Sequence, residues 1–148
     1  MFKRILVAVD GSDTSNQALL AALELARDRQ SQVRLLHVLD ELSSVHGYRY
    51  SAQLREMAQE AGQTVLDDAL AIAAHGDIEA DTQLVDAPGQ RLGDVVADAA
   101  RAWAADLVVV GTHGRRGVGR VLLGSGAEEV VRMAAVPVLT VRGGAAAR

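Results

Sequence analysis

The stretch from Gly111 to Gly126 holds six glycines, three arginines (Arg115, Arg116 and Arg120), His113 and no acidic residue. Residues 112–124 connect an apolar run to a helix-period segment that starts at Ser125. Long connections inside a compact domain are usually functional or disordered. Glycines let backbone N–H groups converge on an anion, and a helix start adds unpaired donors and the positive end of its dipole. The loop is therefore read as phosphate-binding. Two features pull the other way. Ser125-x-x-Glu128 has the spacing of a capping box, which by itself marks only a helix start. Glu128 and Glu129 would weaken an anion site if they faced it.

A second candidate is Asp10, which follows the apolar run Ile5–Val9 and precedes Gly11. It is either a turn residue that shares capping of the next helix with Ser12 and Asp13, or an acceptor for ribose hydroxyls or a metal near phosphates. His37 falls on a strand-like run and reads as a satisfied core histidine. His46, His75 and His113 lie on different segments without metal-ligand spacing.

Several sharper chemistries fail on residues. No G-x-x-x-x-G-K-[ST] is present, and Lys3 is the only lysine, which excludes a P-loop. The first strand runs into Asp10-Gly11-Ser12 rather than G-x-G-x-x-G, so dinucleotide binding of the Rossmann type has no support. Asp10-x-x-Asp13 has the wrong spacing for an aspartate-nucleophile phosphatase, a receiver domain lacks its late lysine, and no G-x-S-x-G elbow occurs. With no Cys, thiol chemistry and disulfides are excluded. No constellation of base and nucleophile accompanies the glycine loop, so no catalytic residue is named.

The elements that must position these residues follow from periodicity. Ile5–Val9, Val33–Leu39 and Leu107–Val110 are short apolar runs typical of strands buried on both faces. Residues 78–85 alternate, and Pro137–Val141 forms a last run. Helices are expected at 13–29, at 50–74 with Leu54, Met57, Ala61, Val65, Ala69 and Ile72 inward, from Pro88 to Trp103, and at 125–134. Strict alternation gives an α/β fold, an open five-stranded parallel sheet with helices on both faces. The two runs free of polar residues belong at the centre, while the alternating strand and the strand led by Pro137 belong at the edges. That gives the order 3-2-1-4-5. The winding reverses between strands one and four, so the crevice at their carboxyl ends is the expected ligand site, and it is bordered by Asp10 and Gly111.

With 26 alanines and four aromatics among 148 residues, the core must be built from small side chains in close helix-on-sheet contact. One domain spanning 1–142 is expected, with a loose tail at 143–148. The net charge of −4 argues against nucleic-acid binding. No apolar run approaches the ~20 residues of a membrane span and no secretory signal is read, so a cytoplasmic address is expected.

Gly111-Thr-His-Gly114, nine further residues and then Gly124-Ser125 fit the G-2x-G-9x-G-[S/T] pattern of nucleotide-binding universal stress proteins. The chain resembles that family over nearly its whole length, through Ile5-Leu-Val-Ala-Val-Asp10-Gly-Ser12, Leu36-His-Val-Leu-Asp40, Asp106–Gly114 and Val136–Arg142. The resemblance implies a regulatory domain of stress adaptation that binds ATP, with Mg2+ or Mn2+, and pairs as a homodimer. It places Asp10 at the ribose or phosphates and Val38 at adenine through its backbone. Gly111 would border the ribose, Gly114, Gly124 and Ser125 would hold phosphates, and Arg115 would lie along the phosphate loop. Gly126 stands where the family commonly has Val or Thr, a departure that bears on affinity more than on fold. The dimer is expected through Val138, Leu139 and Val141 of the last strand, an uncharged edge in need of cover. Two alternatives stand beside this reading: a slow Mg-dependent ATPase, and a dimeric structural module that no longer binds nucleotide.

Overall fold

The computed structural model describes residues 1–39, 52–112 and 123–143. Five strands, β1 (Arg4–Ala8), β2 (Gln32–Val38), β3 (Ala80–Val85), β4 (Leu107–Gly111) and β5 (Val138–Val141), form one sheet. Four helices are described between them: α1 (Asp13–Arg29), α2 (Ala52–His75), α3 (Leu92–Trp103) and α4 (Ser125–Met133). Every neighbouring pair is parallel and the order is β3-β2-β1-β4-β5. The order inferred from burial is the one observed.

The apolar runs sort their side chains by the two-residue period of a strand. Ile5, Val7, Leu35 and Val109 face α1 and α2, where they meet Ala18, Leu19, Ala22, Leu66 and Ala69. Leu6, Leu36, Val108 and Val110 face α3 and α4, where they meet Val96, Ala99, Trp103, Ala127 and Val130. The central strands have no exposed face: Ile5, Leu6, Val7, Val108 and Val109 are all fully buried. Both edge strands, β3 and β5, are half-buried along most of their length.

Three local expectations are corrected. The inward face of α2 is Gly62, Leu66, Ala69 and Ala73; of the predicted stripe, Ala69 is buried and Val65 and Ile72 pack partly buried against the same core, whereas Leu54, Met57 and Ala61 are exposed. The cause is close packing, because a Cβ on Gly62 would stand 2.7 Å from Leu39 and 3.0 Å from Leu84. Small residues and Leu66 face the sheet, Val65 and Ile72 lie at the margin of the core, and Leu54 and Met57 are turned to solvent. Pro88 does not open α3. It occupies a turn closed by the Gln90 N–H on the Ala87 C=O (3.1 Å), with Gly89 at φ +83, and the helix begins at Leu92. Strand three begins at Ala80, because the Ile78 N–H still closes the end of α2 on the Ala73 C=O (3.0 Å).

At the opposite end from the crevice, Asp106 ties the starts of β1 and β4 together. Its two oxygens accept the N–H groups of Lys3 and Arg4, each at 2.9 Å. Burial would raise this carboxyl, but the bonds from the Arg4 and Lys3 N–H groups outweigh it and hold the group below its ordinary value. Trp103 lies beside the same edge, under the guanidiniums of Arg4 and Arg34 at 5.0 and 4.8 Å.

Candidate functional site

The crevice forms where β1 and β4 diverge into connections of opposite hand. On the β1 side, Gly11 takes φ +85 and Ser12 caps α1, its Oγ accepting the Ser15 N–H at 3.1 Å. Asp10 is built into this turn: its Oδ1 accepts the Ser12 N–H at 2.9 Å, and its own N–H donates to the buried Ser15 Oγ at 3.0 Å. The turn role of Asp10 is therefore present. Its Oδ2 has no hydrogen-bond partner among the described residues.

Gly111 ends β4 against the first turn of α1. A Cβ there would lie 2.7 Å from Thr14 Cγ2 and 3.0 Å from the Thr14 C=O, so this position must lack a side chain for packing reasons alone. Gly143, expected in the loose tail, is also pressed against Thr14.

Thr112, not singled out from the sequence, is the hinge pin of the site. Its N–H donates to the Val141 C=O at 2.9 Å, and its C=O accepts the Gly124 N–H at 2.5 Å. Both ends of the 113–123 stretch thus meet at one hydrogen bond. The Thr112 hydroxyl is buried and has no partner among the described residues, a condition that normally costs about 1–3 kcal/mol. A hydroxyl directly after the first motif glycine was the available signal.

The helix begins at Ser125 as expected, but its cap residue is Gly124, so Ser125-x-x-Glu128 does not act as a capping box. Gly124 supplies no side-chain acceptor, so the donors of the first turn of α4 go uncapped by it. Its φ of −69 and ψ of 162 are open to any residue, so no backbone strain demands glycine there. Both nearby carboxylates, Glu128 in the first turn and Glu129 just beyond it, are tied elsewhere. Glu128 accepts from Arg132 Nη2 at 3.0 Å, and Glu129 accepts the Gly93 N–H of α3 at 3.2 Å. Gly126 faces α3, where a Cβ would meet only Leu92 Cδ2, at 2.8 Å.

Val38 ends β2 opposite Val85. Residues of a central parallel strand bond alternately to their two neighbours. Leu36 accepts from Val9 (2.8 Å), and Leu39 donates to Val85 (2.9 Å). The backbone N–H and C=O of Val38 therefore turn toward the β1 side, where β1 has already ended at Ala8. His37 is satisfied as expected, its Nδ1–H donating to the Val9 C=O at 2.7 Å.

Asp10, Val38, Gly111, Gly124, Ser125 and Gly126 are all carried on the carboxyl-end side of the sheet. Gly114, Arg115 and His113 lie outside the described residues. Among the described residues no group of three or more His, Asp or Glu side chains is placed to hold a metal ion, and no helix is long and apolar enough to cross a membrane.

A family model described as the universal stress protein family matches residues 1–142. The universal stress protein YxiE of Bacillus subtilis is 34% identical over 96% of this chain and 100% of its own length. Among solved structures, that of the hypothetical protein MJ0577 superposes with a TM-score of 0.82 at 25% identity, covering 96% of each chain. The universal stress protein of Archaeoglobus fulgidus, solved in complex with dAMP, superposes with a TM-score of 0.70 at 27% identity, over 95% of this chain and 99% of that one.

Proposed function

The chain belongs to the universal stress protein family, and from that premise we propose that it is a cytoplasmic, homodimeric ATP-binding protein with a regulatory role in stress adaptation. The observation that carries the reading is the start of α4. Its first turn has no side-chain cap from Gly124, the nearby carboxylates of Glu128 and Glu129 are tied by Arg132 and Gly93, and it stands beside the Thr112 hydroxyl, which has no partner among the described residues. A helix start so arranged suits phosphate oxygens. The dAMP complex of the Archaeoglobus relative supports an adenine nucleotide as the ligand class.

In this reading Gly124, Ser125 and Gly126, with Gly114 and Arg115, hold the phosphates. The free backbone groups of Val38 recognise the adenine edge, and Gly111 borders the ribose. The uncommitted Oδ2 of Asp10 takes a ribose hydroxyl or an Mg2+ or Mn2+ ion carried in with the phosphates. The bound cation would neutralise phosphate charge. The chain's part is to bind and orient, and no residue is given a catalytic role.

Calorimetric titration tests the site residue by residue. Asp10→Ala weakens ATP binding about tenfold or more, the loss of one charge-assisted hydrogen bond. Val38→Ile, which leaves the backbone unchanged, binds as the wild type does. Equal binding by wild type and Asp10→Ala would reduce Asp10 to its turn role.

A further inference from the structure

The helix start that carries the proposed site is itself held by a second helix. A Cβ on Gly93 of α3 would stand 2.6 Å from the Glu129 Cβ and 2.7 Å from both the C and the O of its carbonyl group. Those are backbone atoms of α4, which no side-chain rotation can move aside. At the same crossing the Gly93 N–H donates to Glu129 Oε1 at 3.2 Å. The cap residue of α3, Arg91, contributes no side-chain hydrogen bond, so the neighbouring helix supplies an acceptor to this first turn. Glu129 lies four residues after Ser125 and so on the same side of α4. The contact therefore holds the start of α4, whose first turn has no side-chain cap from Gly124. It also draws the Glu129 carboxylate toward α3, while Arg132 holds that of Glu128.

We infer that Gly93 and Glu129 are positioning residues for the phosphate end of the nucleotide: the glycine sets the depth at which α4 lies against α3, and the carboxylate locks it there and is kept from opposing the phosphates. The inference rests on the reading of Gly124 and Ser125 as phosphate ligands. Neither Gly93 nor Glu129 touches the ligand in this account. The adenine end is carried by β1 and β2, outside the crossing itself, with the Val38 side chain packed in the core cluster that α3 and α4 also line. Adding a methyl group at 93 moves α4 outward and leaves Val38 and Asp10 where they are.

The test compares two ligands on full-length protein, ATP and adenosine, by calorimetry at a temperature where each variant is folded by circular dichroism. Gly93→Ala lowers ATP affinity about tenfold, the scale of one lost hydrogen bond to a charged group, and leaves adenosine affinity unchanged. Glu129→Ala shifts the ratio in the same direction by a smaller factor. Glu129→Gln, which keeps an acceptor for the Gly93 N–H, restores the wild-type ratio. Parallel loss of both ligands in Gly93→Ala and Glu129→Ala would mean general loosening and overturn the inference, as would unchanged ATP binding in both. Equal affinity of the wild type for ATP and adenosine would remove the phosphate reading, and the inference with it.

Discussion

Gly111 and Gly126 differ in what an added methyl group would strike. At 111 it meets the backbone of Thr14 as well as its side chain, whereas at 126 it meets only the movable end of Leu92. Gly111→Ala therefore destabilises the fold by roughly 1–3 kcal/mol through overpacking. Gly126→Ala costs little, since Leu92 can turn aside and alanine is the better helix former by about 1 kcal/mol. Chemical denaturation of the two variants checks the contrast. Asp106 gives a pH-dependent prediction. Its folded-state value lies below the ordinary 3.8, so its contribution is complete above that value and is lost as pH falls through the lowered one. The stability gap between wild type and Asp106→Asn should be constant near neutrality and shrink below about pH 4. Melting temperatures across that range would count against this account if the gap stayed fixed. The place of Asp10 at the crevice could be read from residue type and strand order, whereas residues 113–122 of the glycine loop lie outside the described residues. The roles of Thr112, Gly93 and Glu129 could not be read so, since they arise from contacts between segments far apart in sequence.

Helix α2 and strand β5 show how far periodicity reaches at the scale of elements. The strands were readable because fully buried runs carry no polar residue, and their order followed from which runs tolerate polar residues or proline. The periodicity of α2 finds Ala69 and the partly buried Val65 and Ile72, but its apolar weight also points to Leu54 and Met57, while close approach to β2 and β3 selects Gly62, Leu66 and Ala73. Leu66→Ala should cost about 2–5 kcal/mol and Met57→Ala less than about 0.5, measured by urea unfolding. In β5 the pairing with β4 uses the C=O groups of Pro137 and Val141. The alternation of a parallel ladder then turns Val138 and Thr140 outward at the sheet edge. Leu139 and Val141 pack inward against the α1 face, so the proposed dimer is better tested through the backbone than through those side chains. Thr140→Pro removes an outward donor and leaves the β4 ladder intact. Light scattering should find wild-type dimers and Thr140→Pro monomers. A wild-type monomer at micromolar concentration would end the proposal.

For the molecule as a whole, the sheet carries the described candidate ligand groups, Asp10, Val38, Gly111, Gly124, Ser125 and Gly126, at its carboxyl end and the stabilising Asp106 and Trp103 contacts at the other. The proposed binding and the folding are thereby separable at Gly124, whose backbone is open to any residue, whereas Gly111 serves the packing as well. Ligand that binds only the native state adds about 2.7 kcal/mol of stability at a hundredfold excess over Kd, or roughly 5–10 °C in Tm for a chain of this size. The most direct measurement is thermal unfolding of the wild type and of Gly124→Val, each with and without millimolar Mg-ATP. The account predicts a rise of that order for the wild type, no rise for Gly124→Val, and matching nucleotide-free transitions for both. A wild-type Tm indifferent to Mg-ATP, or an undiminished rise in Gly124→Val, would contradict it.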